Sequence, residues 1–200
     1  VLYFSGFCLS GESELFKDWL KMDDYTVAGF SRGAIRALEY TLTTDRRIDR
    51  LLLFSPAFFQ TRGERFISLQ IRAYTSDREQ YCRKFLRNCS KPSDFDLGYY
   101  RSAEEDPENL EELLRYRWEK EKLLEIQKRG TTIEVFLGEK DRIIDIEGAL
   151  RFFVPQTTVY RFRHAGHILK PVRKNNDAET DRHSEQNQYD MEFPKGANRK

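Results

Sequence analysis

Ser31 stands in Gly29-Phe30-Ser31-Arg32-Gly33, and a hydroxyl in that setting can be a nucleophile. The apolar run Tyr25-Thr26-Val27-Ala28 precedes the pentapeptide, and Ala34-Ile35-Arg36-Ala37-Leu38-Glu39-Tyr40, helical in pattern, follows it. A strand that turns at once into a helix holds its apex residue in strained backbone. It leaves no room for flanking side chains, hence the glycines of G-x-S-x-G. The apex hydroxyl then projects beyond the sheet, with a helix N-terminus behind it that favours negative charge. The same pentapeptide also serves as a plain glycine-rich turn, so the partners that would make Ser31 reactive must be sought elsewhere.

A serine hydroxyl attacks only when an imidazole takes its proton, and the imidazole needs a carboxylate to hold its tautomer. Asp141 closes Gly138-Glu139-Lys140-Asp141 after the strand-like run 131–137, with Glu139 and Asp145 as rivals. Glu139 lies within the tight turn and Asp145 is placed to cap the next helix, which favours Asp141. His167 ends Arg163-His164-Ala165-Gly166-His167 after the run 157–162, with His164 as its rival. Gly166 would give His167 a close backbone approach, whereas His164 reads as a polar loop residue. His183 lies in a polar C-terminal stretch and is set aside. An oxyanion needs backbone N–H donors. Arg32, directly after Ser31, supplies one, and the loop Ser5-Gly6-Phe7-Cys8 supplies the other, assigned to Phe7. Cys8 as a nucleophile beside a histidine is disfavoured, because no elbow or helix start presents it.

Positioning these residues requires strands that end at one edge. Residues 1–4, the elbow strand, residues 48–56, 131–137 and 157–162 read as five strands, separated by helical segments. Leu15, Phe16, Trp19 and Leu20 mark one buried helical face, with Ser10 as its candidate cap. Strands alternating with helices predict an α/β fold with a mainly parallel sheet, in which function collects at the carboxyl ends of the strands. Ser31, Asp141 and His167 each follow a strand. Residues 60–129 show only charged helical segments, broken near 88–93 and Gly98. That divides the chain into a core of 1–59 and 130–174, a helical insertion of 60–129, and a tail of 175–200 too polar to fold.

Composition narrows the class further. A net charge of +1 argues against nucleic-acid binding by overall balance. No apolar run approaches the ~20 residues of a membrane span, and no leader is recognisable before the first strand. Cys8, Cys82 and Cys89 are odd in number and lack metal-ligand spacing, which suits a reducing cytoplasm. Nothing implies a metal or redox cofactor. The charge is uneven within the insertion: residues 60–101 carry nine bases and five acids (+4), and residues 103–129 carry six bases and nine acids (−3). Arg72, Arg78, Arg83, Lys84 and Arg87 belong to the basic half, which could steer an acidic partner or form an ordinary solvated face. Beneath them, Phe58, Phe59, Phe66, Ile67, Leu69, Ile71, Tyr74, Phe85 and Leu86 could form an acyl channel or the core of the insertion.

With these residues assembled, the chain resembles the α/β-hydrolases, whose order is nucleophile, acid, base. Closer still, it is similar to the short pimeloyl-acyl-carrier-protein methyl ester esterases of biotin synthesis, the BioV type. The matching pieces are Phe4-Ser5-Gly6-Phe7, Glu14-Leu15-Phe16-Lys17-Asp18-Trp19-Leu20, the elbow with its helix to Tyr40, and Leu51-Leu52-Leu53-Phe54-Ser55-Pro56. They cover roughly the first 60 residues, whereas Asp141 and Gly166-His167 match only the general hydrolase pattern. The resemblance implies a reduced α/β-hydrolase fold of about five strands with the insertion as a lid. It also implies hydrolysis of the methyl ester on a pimeloyl chain carried by acyl-carrier protein, without cofactor. Two departures from the resemblance stand out: the usual histidine before Gly6 is a serine, and the strands that would precede Val1 and one strand–helix unit before the elbow of longer hydrolases have no counterpart. The competing expectations are a broad-range carboxylesterase, an acyl thioesterase, or an inactive binding module on the same fold.

Overall fold

The computed structural model describes residues 1–20, 23–102, 107–171 and 191–192. Its centre is a six-stranded sheet in the order β1-β2-β3-β4-β5-β6, formed by Leu2–Phe4, Thr26–Phe30, Arg50–Phe54, Thr132–Gly138, Thr158–Phe162 and Met191–Glu192. The first five strands run parallel and β6 pairs antiparallel with β5. This is the expected reduced α/β-hydrolase architecture of about five mainly parallel strands with flanking helices. The edge strand β6 falls in the stretch expected to lack structure; β5 presents unpaired backbone groups that residues 191–192 satisfy. The rest of 175–200, His183 included, lies outside the described residues.

Period-two alternation sorts the side chains between two faces. Phe30, Phe54 and Phe136 are register partners and share one face. Phe16 stacks on Phe54 at 4.4 Å and meets Phe30 at 5.1 Å, while Trp19 contacts Phe54, Phe136 and Phe162. The other face carries Gly29 and its register partner Leu53. It receives α1 (Arg32–Thr43), since a Cβ at Gly29 would lie 2.1 Å from the Gly33 carbonyl oxygen. Each fully buried Phe or Leu here contributes about 1.5–3 kcal/mol, so the strands are secured by both layers. The segment bearing Leu15 and Phe16 is a 3-10 helix, Glu12–Phe16, and Ser10 does not cap it. Gly11 at φ 77° makes the entry turn instead, a left-handed conformation in which glycine needs no capping side chain.

Between β3 and β4 the chain forms α2 (Glu64–Ser76), α3 (Arg78–Ser90), a 3-10 turn (Leu97–Tyr100), α4 (Pro107–Arg115) and α5 (Lys120–Lys128). Helix α2 packs on α3 and α4, whereas α5 lies against α1 and β4. Helix α6 (Ile146–Phe153) connects β4 to β5. Of the apolar residues expected beneath the insertion, Phe58, Phe59, Ile67, Tyr74 and Leu86 are buried. Leu69 instead faces solvent at 51% exposure, and Phe58 packs on Phe152 and Phe153 of α6. The insertion is anchored where it leaves and returns: the Trp118 indole donates to the Ala57 carbonyl at 2.8 Å, and its backbone N–H donates to Gln60 at 2.7 Å. Among the described residues no helix is long and apolar enough to cross a membrane.

Candidate active site

Ser31 occupies the apex between β2 and α1 with φ 54° and ψ −113°, a region that costs a non-glycine residue about 1–3 kcal/mol. The surroundings hold it there. Its N–H donates to the Phe54 carbonyl at 2.9 Å, and its carbonyl accepts from Ala34 at 3.1 Å and from Ala57 at 3.2 Å. A Cβ at Gly33 would lie 1.9 Å from the Phe4 carbonyl oxygen, so the start of α1 abuts the end of β1. The expectation that side chains beside the apex would clash therefore has a concrete form: backbone meets backbone on both sides of the serine.

His167 is fully buried and spans two partners. Its Nε2 lies 3.0 Å from the Ser31 Oγ, and its Nδ1 lies 2.6 Å from the Asp141 Oδ2. With Nδ1 donating to the carboxylate, Nε2 is left to accept from the serine hydroxyl. The second oxygen, Asp141 Oδ1, accepts from the Ile143 N–H at 2.7 Å and the Ile144 N–H at 3.3 Å, which fixes the carboxylate. The rivals are engaged elsewhere. Asp145 caps α6 by accepting from Gly148, Glu139 pairs with Arg161 at 2.7 Å, and His164 is exposed. Hydrogen bonds to Asp145, first from Thr61 and then from Gly148, hold its carboxyl below the usual carboxylate range. Three segments distant in sequence thus meet at the carboxyl edge of β2, β4 and β5.

Gly166 serves the approach expected of it, though the neighbour belongs to the insertion: a Cβ there would lie 1.9 Å from the Lys91 carbonyl oxygen. Cys89, at the end of α3, is fully buried. Burial pushes its thiol well above the ordinary range, and the nearby negative charge of Asp141 adds to the effect. The loop bearing Phe7 is likewise pinned. Ser10 N–H donates to the Tyr100 carbonyl at 2.8 Å, Ser102 N–H donates to the Cys8 carbonyl at 3.0 Å, and the Phe7 ring packs on Tyr74 and Phe85. Segments between β3 and β4 therefore pack against both loops that flank Ser31, itself only 3% exposed. Two cavities, about 170 Å³ beside Val1 and Thr26 and about 480 Å³ beside Thr132 and Thr158, open at the opposite, amino-terminal edge of the sheet. Among the described residues no group of three or more His, Cys, Asp or Glu side chains is arranged to hold a metal ion.

Two polar residues at the site carry no signal in the sequence. Glu12 lies fully buried beneath the Gly6-Phe7 loop, and Ser55 is buried at the end of β3. The Ser55 hydroxyl donates to the His167 carbonyl at 2.6 Å, tying the histidine loop to the strand beside the elbow. Ser55→Ala leaves that buried carbonyl without its donor, and such a loss costs about 1–3 kcal/mol. The expected result is a lower urea midpoint at unchanged slope; an unchanged midpoint would show that the bond contributes no net stability.

No family model matches the sequence, and no curated protein matches it either. Solved structures do resemble the fold. The carboxylesterase CesB from Bacillus subtilis matches 72% of this chain at 16% identity and TM-score 0.50, and the esterase EaEST from Exiguobacterium antarcticum matches 76% at 19% identity and TM-score 0.58. The chain spans 53% of the first and 63% of the second. Est816, described as an N-acyl homoserine lactone degrading enzyme, matches 84% of this chain and is itself covered to 85%, at 14% identity and TM-score 0.56. Likeness at these identities bears on architecture, and with the sheet order and the strained elbow it identifies the chain as an α/β-hydrolase fold in reduced form.

Proposed function

We propose that this chain is a serine hydrolase acting on carboxylic esters. The observation that supports it most is the single buried imidazole joining Ser31 to Asp141 at a strained elbow. His167 takes the hydroxyl proton as Ser31 Oγ bonds to the ester carbonyl carbon. The N–H groups of Arg32 and Phe7 receive the oxyanion. The carbonyl re-forms, the alcohol leaves with the proton from His167, and a water deprotonated by the same imidazole releases the acid. A fluorophosphonate probe tests this directly, since it phosphonylates only an activated serine. Absence of labelling would leave an inactive binding module as the better reading.

The broad reading, a carboxylesterase of wide substrate range, draws support from fold neighbours described as esterases. The narrower substrate, a pimeloyl methyl ester on acyl-carrier protein, draws on the likeness of the first 60 residues. It also draws on the basic face of α2 and α3, where Arg72, Arg78, Arg83, Lys84 and Arg87 are all exposed. Arg83 stands 3.9 Å from Glu79, which blunts its charge. Mass spectrometry of the methyl pimeloyl carrier before and after incubation should show loss of one methyl group. Release of the whole acyl chain would indicate a thioesterase instead.

If that face docks an acidic carrier, reversing Arg83, Lys84 and Arg87 to glutamate should raise KM for the carrier-linked ester on the order of tenfold. Raising salt should act on the wild type in the same direction, because the Debye length is only ~8 Å near physiological ionic strength. A small soluble methyl ester, which needs no docking, should be hydrolysed equally by both proteins. Equal loss on both substrates would make these residues supports of the site. No loss on either would make them a solvated helix face.

A further inference from the structure

Glu12 is a fully buried carboxylate that the ester chemistry above leaves without a task. Its Oε1 accepts from the Gly6 N–H at 2.8 Å and from the Tyr3 hydroxyl at 3.1 Å. Its Oε2 is buried without a hydrogen-bond partner among the described residues. Burial, reinforced by the negative charge of Glu12, pushes the Tyr3 phenol well above its ordinary range, so Tyr3 stays a donor. A lone carboxylate in such a place is costly unless it holds something. What it holds is the turn that carries Phe7.

We propose that Glu12 is a positioning residue that sets the direction of the Phe7 N–H toward the oxyanion, an inference that rests on the ester-hydrolase reading. The Gly6 carbonyl accepts from the Leu9 N–H at 3.2 Å, and Cys8 at φ 60° closes that turn. With its N–H taken by Glu12, Gly6 is fixed at both ends of its hydrogen-bonding capacity. The next donor along the chain, Phe7 N–H, has no acceptor among the described residues. The turn lies against the elbow, because Gly33 brings the first residues of α1 onto the Phe4 and Ser5 carbonyls. The Phe7 ring, held by Tyr74 and Phe85, locks the side chain while Glu12 locks the backbone. Both contacts to Glu12 use one oxygen, so the task needs an acceptor at that distance and not a charge.

Two variants separate reach from charge. Glu12→Gln keeps an acceptor oxygen at full length without the charge, and Glu12→Asp keeps the charge but falls short by one methylene. Each is assayed as the full chain, folded by circular dichroism, with p-nitrophenyl butyrate as substrate and a trifluoromethyl ketone as inhibitor. The ketone carbon bonds to Ser31 Oγ, the proton passes to His167, and the resulting oxyanion occupies the hole. Glu12→Gln should keep kcat within about threefold, whereas Glu12→Asp should lose kcat on the order of 10²-fold at near-constant KM. The ketone should bind Glu12→Asp weaker by the same order, a change that a purely structural role would not produce in folded protein. Equal kcat for the two, the reverse ranking, or a rise in KM alone would overturn the inference. Should Glu12→Asp not fold, Glu12→Gln decides alone: retained kcat supports the acceptor role and a loss on the order of 10²-fold overturns it. A wild type that neither hydrolyses the ester nor reacts with fluorophosphonate defeats the hydrolase reading and this inference with it. An active wild type with the wrong ranking defeats the role of Glu12 alone.

Discussion

Ser31→Ala and His167→Ala are each expected to lower kcat by about 10⁶-fold, the size seen when catalytic triads are dismantled elsewhere. The two losses should be alike and should not add. Without the hydroxyl there is no nucleophile, and without the imidazole, 3.0 Å from it, nothing takes the proton. A residue of rate, ~10³–10⁴ over water, should survive in both because the backbone donors and the binding surface remain. Fold and function separate cleanly at Ser31. Alanine keeps the Cβ and the strained φ, so thermal unfolding should change little. His167→Ala empties space beside Phe30, whose ring centroid lies 4.9 Å from the imidazole, and some stability should go with it. Kinetics at a temperature where both variants remain folded decides the matter. More than a tenth of normal turnover in either would remove that residue from the mechanism.

The elbow was legible because its signal is steric: Gly29 and Gly33 sit where backbone from α1 and β1 leaves no room for a side chain. The strands were legible because a sheet covered on both faces requires apolar runs such as Leu51-Leu52-Leu53-Phe54. What escaped were single polar residues whose task depends on a distant segment. Ser55 looks like the end of a strand, and only the fold brings the His167 carbonyl to it across 112 positions. Glu12 looks like a surface charge in Gly11-Glu12-Ser13-Glu14, yet the 3-10 geometry of 12–16 turns it inward beneath Gly6. Ser10 is not the cap its spacing suggests, since propensity presumes an α-helix where residues 12–16 form a 3-10 helix entered through Gly11. Leu69 was misplaced because periodicity cannot say which side of a helical insertion faces the sheet.

Carboxylates near the end of β4 pose the sharpest choice, and Asp141→Asn should resolve it with a loss of about 10⁴-fold in kcat. The charge on Asp141 draws the ring proton to Nδ1 across 2.6 Å, leaving Nε2 bare for the serine. An asparagine can turn its amide N–H toward Nδ1, which places the ring proton on Nε2, where it faces Ser31 and cannot accept. Geometry would survive, because the Ile143 and Ile144 N–H groups can still be met by the remaining oxygen. Asp145→Asn should behave differently. Asparagine caps a helix about as well as aspartate, so kcat should stay near normal, with only the contact to Thr61 weakened. Its signature should lie in acid stability instead. Because the Asp145 carboxyl is held below its ordinary range in the fold, it stabilises above the unfolded value, and that contribution fades as pH falls through the folded one. Asp145→Asn should therefore flatten the loss of stability on acidification, while Asp141→Asn removes turnover at neutral pH. Kinetics and urea titrations of both variants at neutral and acidic pH read the two effects independently. If Asp145→Asn were the variant that lost turnover, the carboxylate at 2.6 Å from His167 would not be the one that orients it.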